Sequence, residues 1–411
     1  MSSESPPGKT GSRSIYLTIL VAALGYFVDI YDLILFLIVR VKSLKGLGVP
    51  KEALLDTGVS LLNTQMIGML IGGILWGILG DKRGRLSVLF GSIALYSVAN
   101  IANGFVQTVP QYAVMRFIAG VGLAGELGAG ITLVSEVMSR EARGYGTTVV
   151  ASVGVLGAVV AALVGDSFSW RVAYFVGGAL GIALLLLRIG LFESGMFEQA
   201  RRREVARGNF FSLFTDADRL RRYIAVIFIG LPIWFVISIL IGLSPEIAAD
   251  MGMKPGPQAG QAVMLAYIGL SIGDFASGSL SQLLRSRKKV VALFMGLTVA
   301  CVVAYFTVGS ASLVTFYACC LALGVAVGYW AVFVTIASEQ FGTNIRATAT
   351  TTVPNFVRGA VVGLTTAFGA LKGPLGVTRA AIVVGAVTLL IAAVSLRALD
   401  ETFGKDLDFV E

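Results

Sequence analysis

Several ionisable side chains fall inside long apolar segments of this sequence: Asp29, Asp32, Arg116, Glu126, Asp274 and Arg358. If such a segment crosses a membrane, a charged group costs roughly 2.5 to 3.5 kcal/mol on insertion scales, so it usually faces a polar cavity, a partner or a proton path. Asp29 and Asp32 are three residues apart, which places them on nearly one face of a helix. We expect at least one of the two to serve a polar cavity. The alternative is that Asp32 pairs with Arg40 or with a base in the loop that follows.

Arg116 and Glu126 lie on one predicted helix at a spacing that prevents them from pairing with each other. Each needs another partner, and Asp29 or Asp32 is a natural candidate for Arg116. Glu126 is either a protonatable acid or a neutral packing residue. Because the chain has no histidine, carboxylates are the side chains left to carry protons near neutral pH. Asp29, Asp32 and Glu126 are therefore the candidates for proton coupling.

Arg358 and Asn355 are three residues apart and follow Pro354, a helix-kinking position. The planar guanidinium of arginine matches the geometry of carboxylates and phosphates, so Arg358 indicates an anionic ligand. The alternative is that Arg358 and Asp274 neutralise each other. A substrate anion could then displace Asp274 from Arg358. The complete set of candidate ligand-binding residues is Arg358, Asn355, Asp274, Tyr26, Arg116 and Trp330.

The composition excludes a soluble globule. The 411 residues are 56% hydrophobic and 14% charged, with a mean hydropathy of +0.84. Twelve apolar segments reach the roughly 20 residues that a bilayer requires, and their continuous apolar runs argue against a barrel of alternating strands. They lie at residues 16–39, 58–79, 86–106, 112–138, 145–164, 172–192, 223–241, 261–284, 290–308, 313–337, 347–371 and 380–399. The sequence therefore predicts an all-α integral membrane protein with twelve transmembrane helices.

If both termini are cytoplasmic, most of the 32 Lys and Arg residues fall in cytoplasmic segments. Because Lys and Arg are enriched in cytoplasmic loops, this distribution predicts cytoplasmic termini. The net charge of +8 is then a consequence of topology, and we expect no nucleic-acid partner. Residues 1–14 are polar and carry no cleavable signal pattern. The three cysteines show no metal or disulfide spacing, so we expect no metal and no cofactor. A multi-pass monomer of the inner (plasma) membrane is the expected state.

The loop between the second and third predicted spans reads Gly77-Ile-Leu-Gly-Asp-Lys-Arg-Gly-Arg85. It resembles the loop signature of the major facilitator superfamily, Gly-x-Leu-x-Asp-Arg-x-Gly-Arg. Gly77, Leu79, Asp81, Gly84 and Arg85 match the signature, and Lys82 and Arg83 share the place of its first arginine. The resemblance implies that Asp81 contacts a helix end of the opposite half and braces the closed cytoplasmic side, and carboxylates do favour helix N-termini.

A second pattern occurs twice along the chain. Ser-Glu at 135–136 is followed by Arg143, and Ser-Glu at 338–339 is followed by Arg346 at the same spacing. Such a repeat indicates an internal duplication, which favours two six-helix bundles related by an axis along the membrane normal, with the substrate between them. Glu136, Arg143, Glu339 and Arg346 are expected to form ion pairs that gate the inner face; the alternative is a solvated or topological role.

The predicted spans and the resemblance to the major facilitator superfamily divide the chain into five parts. They are an N-terminal tail (1–14), a first bundle (15–192), a cytoplasmic linker (193–222), a second bundle (223–399) and a C-terminal tail (400–411). The pattern Asp29-Ile-Tyr-Asp32 resembles the Asp-Gly-x-Asp motif of aromatic-acid/proton symporters, with Ile30 in place of glycine. Residues 193–198 and 401–405 resemble segments of metabolite/proton symporters and sugar porters.

The expected function is therefore secondary transport of a small organic anion by alternating access with proton symport. The alternative is an uncoupled facilitator or an exporter of a neutral, sugar-like or cationic compound. A membrane enzyme is disfavoured, because the sequence has no P-loop and no Gly-x-Ser-x-Gly elbow.

Overall fold

The computed structural model describes residues 12–83, 85–126, 143–193 and 210–405, and every regular element within these ranges is helical. The first half contains α1 (Ser12–Gly46), α2 (Leu54–Arg83), α3 (Arg85–Asn103), α4 (Val109–Leu123), α5 (Arg143–Gly154), α6 (Gly157–Ser167) and α7 (Trp170–Glu193). The second half contains α8 (Ala217–Phe235), α9 (Ser244–Asp250), α10 (Ala259–Leu283), α11 (Arg287–Thr307), α12 (Leu313–Ala326), α13 (Trp330–Glu339), α14 (Thr343–Gly359), α15 (Val361–Leu375) and α16 (Val377–Ala398). A π-helical segment, Val236–Ile241, continues α8.

Within the described ranges, nine helical stretches are long and apolar enough to cross a membrane. The three other predicted spans, 86–106, 112–138 and 347–371, correspond to α3, α4 and the pair α14 and α15. The predicted span that contains α4 continues into residues 127–142, which lie outside the described residues. Helix α14 falls short because it is rich in threonine and carries Asn355 and Arg358. The helix least apolar by composition thus carries the candidate anion-binding residues.

Two of the helix boundaries that differ from the sequence-based expectation have a clear physical cause. The first span was expected to end at residue 39, but α1 continues to Gly46. Lys42 explains part of the extension, because its ammonium donates to Gly165 O at 2.9 Å and lies 3.2 Å from Asp166. Helix α8 begins at Ala217, inside the expected linker, because Asp216 accepts a hydrogen bond from Arg219 N and caps the helix.

The helices sort into a central and a peripheral group. The two groups differ in the share of buried residues in the most apolar stretch of each helix. This share is 78% in α1, 89% in α8 with its π-helical segment and 83% in α12 with α13, but only 33% in α11 and in α16. The exposed side chains of α11 and α16 are apolar, among them Leu293, Val303, Leu390 and Val394. An apolar exterior of this kind matches lipid and not water. The two halves meet where α2 packs on α14 and where α10 packs on α5 and α6.

Several central helices are interrupted near their middle. Helices α12 and α13 are separated by residues 327–329, and Gly328 in this break packs against Gly273 of α10. A Cβ on Gly328 would lie 2.5 Å from the Gly273 Cα, so only glycine permits this approach. The break frees the first backbone N–H groups of α13 for other partners. Irregular backbone at membrane depth is tolerated where it is buried in protein or lines a cavity.

Candidate functional site

A cavity lies between the two halves. It has about 280 Å³ of non-atom space, which includes open solvent at its mouth, and about 20 Å³ of room for the centre of a water-sized molecule in this conformation. Its lining residues come from α1, the α5–α6 junction, α8 with its π-helical segment, α10 and α13, and they are Tyr26, Ile30, Val155, Ile233, Trp234, Ile237, Tyr267, Leu270 and Trp330. Four of these side chains are aromatic and the others are aliphatic. The cavity therefore offers ring faces and few polar groups.

Arg358 of α14 is the cation beside this cavity. Its Cζ lies 5.9 Å from the ring centroid of Trp234 and 5.6 Å from that of Trp330, so the guanidinium sits between two indole rings. The side chain is buried, and no described residue accepts a hydrogen bond from its Nε or Nη1. A buried guanidinium with free donors is costly unless an acceptor arrives. These donors, together with the indole N–H of Trp330, which also lacks a partner among the described residues, can bind an anion.

Asp29 of α1 is the acid nearest to this guanidinium. Arg358 Nη2 lies 3.4 Å from Asp29 Oδ2, and this contact joins the two halves across the interface. No described residue donates to Asp29 Oδ1. A single long contact is weaker than the bidentate geometry that arginine and carboxylates prefer. The internal pair is therefore one that a second carboxylate can displace.

Asp274 does not pair with Arg358, contrary to the alternative raised from the sequence. Asp274 Oδ1 accepts a hydrogen bond from Ala331 N at 3.0 Å, so the carboxylate caps the N-terminus of α13. The break at residues 327–329 exposes this N–H group, and the positive end of the helix dipole favours an anion there. Asp274 is thus committed to a helix end within the second half.

Asn355, one turn before Arg358 on α14, contacts backbone and not the cavity. Its amide nitrogen donates to Ala124 O of the first half at 2.8 Å and to Thr351 O at 2.9 Å. A Cβ on Gly73 of α2 would lie 2.9 Å from the Asn355 Cβ, so glycine permits the close packing of α2 on α14. Asn355 ties the two halves together, and only its carbonyl oxygen lacks a partner among the described residues.

Arg116 does not form an ion pair with Asp29 or Asp32, which corrects the sequence-based expectation. It donates instead to the amide oxygen of Gln65 on α2, and its Cζ lies 5.2 Å from the ring of Phe36. Asp32 is fully buried in the first half, and neither of its carboxylate oxygens accepts a hydrogen bond from a described residue. Arg116 exerts the strongest opposing charge on Asp32. Asp29 and Asp32 therefore face different surroundings, since residues three apart point in directions that differ by about 60° around a helix.

Glu126 has a partner that the sequence analysis did not assign. Arg188 of α7 donates to both carboxylate oxygens of Glu126, at 2.5 and 3.0 Å. The two side chains are 1% and 5% exposed. Arg188 was recognisable as a base inside a predicted span, but no spacing rule links it to a residue 62 positions earlier. Glu126 is thus ion-paired in this conformation, and its role in proton coupling stays a prediction.

We expect the Glu126–Arg188 pair to stabilise the fold. Glu126→Gln leaves the Arg188 charge buried without its counter-ion and should lower the free energy of unfolding by about 3 to 5 kcal/mol. The double variant Glu126→Gln with Arg188→Gln removes both charges and should recover most of this loss. Thermal unfolding in detergent measures both. If the double variant folds well but no longer accumulates substrate against a proton gradient, Glu126 serves coupling and the structural assignment is wrong.

At the carboxyl end of α1 the two halves are joined by buried and surface charges. Arg40 Nη2 lies 2.5 Å from Glu246 Oε1 of α9 and 3.5 Å from Gly242 O, and the Arg40 side chain is 1% exposed. Lys372 and Asp56 form a second ion pair across the same end. Arg40 is therefore engaged with Glu246 and is not a partner of Asp32. These contacts hold the two halves together at that end in this conformation.

At the opposite end of the second half, Glu339 lies 3.4 Å from Arg287 and accepts a hydrogen bond from the Thr402 hydroxyl at 2.8 Å. Arg346 donates through its Nε to Ser338 O and Phe341 O.

Glu401 binds the backbone N–H groups that begin α11. Burial raises the pKa of Glu401, but hydrogen bonds from Ser286 and from the backbone outweigh it and hold the pKa below the usual range. The C-terminal segment is thereby held against the helix ends.

In the first half, the expected gating residues are Gly77, Asp81, Arg83, Gly84, Arg85, Glu136 and Arg143, and the structure describes only some of them. Gly77 lies on α2 facing Thr352 of α14, which a Cβ would meet at 3.7 Å. Gly84 and Glu136 lie outside the described residues, and the description likewise does not extend to the side chains of Asp81, Arg83, Arg85 and Arg143. Their expected gating roles stay predictions.

Comparison with known proteins identifies the family. A model of the Major Facilitator Superfamily matches residues 15–377. The chain is 28% identical to the putative niacin/nicotinamide transporter NiaP of Bacillus subtilis. The aligned region covers 87% of this chain and 85% of that protein. It is 26% identical to a probable 4-methylmuconolactone transporter of Cupriavidus pinatubonensis (96% and 93% covered) and 28% identical to the 3-(3-hydroxy-phenyl)propionate transporter of Escherichia coli (77% and 75%).

The fold has a solved counterpart. The proton:xylose symporter XylE, bound to 6-bromo-6-deoxy-D-glucose, superposes with a TM-score of 0.69 over 97% of this chain and 98% of that one, at 17% identity. This likeness confirms the predicted architecture of twelve transmembrane helices in two six-helix bundles. The chain belongs to the Major Facilitator Superfamily, and it is a multi-pass membrane transporter and not an enzyme.

Proposed function

We propose that this protein transports small ring-containing monocarboxylates together with protons. The observation that carries the proposal is the position of Arg358, buried between two indole rings with two nitrogen atoms that no described residue engages. The guanidinium fork binds a carboxylate, and the aromatic walls bind a flat ring by stacking. A ligand that combines both groups matches the cavity.

Sugars and cations fit the cavity less well than ring carboxylates. A sugar needs several hydrogen-bond partners, but five of the nine cavity-lining side chains are aliphatic. A cation needs a free acid, but Asp29 faces Arg358 and Asp274 caps α13. The relatives named for niacin/nicotinamide and for 3-(3-hydroxy-phenyl)propionate add support, because both names describe ring compounds. A neutral ring compound such as nicotinamide is the second candidate, since one relative is named for it.

Coupling to protons follows from the geometry of α1. When a substrate carboxylate takes Arg358, Asp29 loses its counter-ion and stays buried three residues from Asp32. Two like charges this close in a buried site are costly unless one carries a proton. The pair Asp29 and Asp32 therefore holds one proton in the loaded carrier and releases it when the substrate leaves. Because the two acids interact, the proton belongs to the pair and not to one residue.

Alternating access then moves the first bundle against the second. The Arg40–Glu246 contact is proposed to close one end of the cavity, and the motifs around Asp81, Glu136 and Glu339 to close the other. The positions of the bases favour cytoplasmic termini in an inner membrane, so Arg40 lies at the outer end. We further propose that one chain is the working unit, because the two halves of one chain together supply the cavity-lining residues.

Uptake into proteoliposomes with matched acids and amides tests the substrate class. Benzoate and nicotinate should enter under an inward proton gradient, and unlabelled acids should compete with them. Benzamide and nicotinamide have the same rings without the charge and should compete weakly. Protein-free liposomes measure the passive flux of the protonated acids. Equal competition by acids and amides would contradict an anion site and favour the neutral-compound alternative.

A further inference from the structure

The structure contains a chain of buried hydroxyl groups in the first half that the substrate cavity does not use. The hydroxyls of Tyr112 on α4 and Tyr174 on α7 lie 2.5 Å apart, and Tyr112 donates to the Ser43 hydroxyl of α1 at 3.4 Å. All three side chains are fully buried. None of them lines the cavity.

One end of this hydroxyl chain approaches Asp32. Tyr174 and Gly177 are three residues apart on one face of α7, and Asp32 packs on Gly177, where a Cβ would lie 2.2 Å from Asp32 Oδ1. Neither oxygen of Asp32 accepts a hydrogen bond from any described residue, although the side chain is fully buried. A buried carboxylate with free oxygens at the end of a hydroxyl chain can accept a proton from it, directly or through one water molecule.

The other end of the chain approaches the surface. Ser43 lies one turn before Gly46, which is exposed at the carboxyl end of α1. The Trp170 ring packs over this end of the chain, 6.0 Å from the ring of Tyr112 and 6.3 Å from that of Tyr174. The path from the surface to Asp32 therefore runs inside the first bundle.

Asp32 is also turned away from the cavity. Ile30 lines the cavity, and a two-residue step carries Asp32 about 200° around α1. The charged groups that act on Asp32 are Arg116 and Asp29. A proton can thus reach the acid pair from a side that the substrate never occupies.

We propose that Ser43, Tyr112 and Tyr174 form a proton path from the surface at the carboxyl end of α1 to Asp32, separate from the substrate cavity. At rest Tyr112 donates to Ser43, and Ser43 donates to Arg40 O at 3.0 Å, so these hydroxyls first turn toward Asp32. Each hydroxyl oxygen then accepts one proton and releases its own to the next oxygen, so no net charge stays on the chain. The hydroxyls reorient once for each proton delivered. This inference rests on the proposed function, because it supplies the proton for the pair Asp29 and Asp32.

The test compares two transport modes in proteoliposomes. Exchange of labelled for unlabelled benzoate needs no net proton movement, whereas accumulation under an imposed proton gradient does. Tyr112→Phe and Tyr174→Phe keep the rings and remove the hydroxyls. We expect each to slow proton-driven accumulation about a hundredfold, the lower end for loss of a positioned proton-transfer group, and to leave exchange within about twofold.

Tyr305→Phe is the matched control. Tyr305 is equally buried, and its hydroxyl donates to Leu240 O at 2.9 Å in the second half. It should leave both modes unchanged. Wild-type accumulation rates in both first-half variants would overturn the proton path alone. Equal loss of exchange and accumulation in variants with wild-type melting temperatures would also overturn it, because the hydroxyls would then serve the carrier movement itself. Failure of the wild type to exchange ring carboxylates would instead overturn the proposed function.

Discussion

Replacing Arg358 by alanine should abolish uptake of ring carboxylates. The substitution removes the only cation that contacts the two cavity indole rings among the described residues, so the substrate carboxylate would enter a buried site without a counter-charge. We expect uptake to fall by about a hundredfold or more, since removing one partner of a buried charged contact costs roughly 3 to 5 kcal/mol. Arg358→Lys should also be strongly impaired, because a point charge cannot replace a planar fork held between rings. Initial rates of labelled benzoate uptake measure both effects.

Loss of uptake in Arg358→Ala has a second possible cause, because the variant leaves Asp29 buried and unpaired. The double variant Asp29→Asn with Arg358→Ala removes this orphan charge and should recover thermal stability. It should still transport no carboxylate. If the double variant regained uptake, Arg358 would be a structural counter-ion and the anion site would lie elsewhere.

Replacing Asp29 by asparagine should tighten substrate binding and remove its dependence on protons. The wild-type substrate competes with Asp29 for Arg358 across a single 3.4 Å contact. Without that competitor we expect the apparent affinity for benzoate to rise about tenfold, which corresponds to roughly 1.4 kcal/mol. Quenching of Trp234 and Trp330 fluorescence can measure binding at several pH values. The wild-type affinity should vary with pH, and the affinity of Asp29→Asn should be nearly constant.

The transport consequence of Asp29→Asn distinguishes coupling from mere binding. Exchange of substrate should continue, because an amide keeps the shape of the side chain. Accumulation against a gradient should be lost, because the acid pair can no longer respond to occupancy of Arg358. Glu126→Gln with Arg188→Gln is the matched comparison, as it neutralises a buried acid outside this pair. Proton-driven accumulation by Asp29→Asn at the wild-type level would contradict the coupling assignment.

The sequence was sufficient to predict the fold, because twelve apolar segments and a duplicated motif leave few arrangements in a bilayer. Three candidate ligand-binding residues, Tyr26, Trp330 and Arg358, are conspicuous by type at membrane depth and lie at or beside the cavity. Their part in binding stays a prediction. Residue type and depth can be read from a linear sequence. The general location of a site follows from them.

The pairing of side chains could not be predicted in the same way. Partner choice depends on how each helix is rotated, and a shift of about 60° separates the surroundings of Asp29 from those of Asp32. Arg116 binds the neutral Gln65, which no charge pattern indicates. Asp274 binds a helix end that exists only because α12 and α13 are interrupted at Gly328. Such contacts arise from tertiary packing, and the two glycines that permit the break resemble any other pair among the 50 in the chain.

The most direct test of the account is proton movement during substrate uptake by the wild-type protein. Proteoliposomes in weakly buffered medium with an external pH-sensitive dye would receive benzoate, and in parallel benzamide. Liposomes with Arg358→Ala would provide the passive background. Proton symport with an anion predicts external alkalinisation with benzoate, above the background of the variant, and none with benzamide. Benzoate uptake without alkalinisation above that background would contradict proton-coupled transport of ring carboxylates.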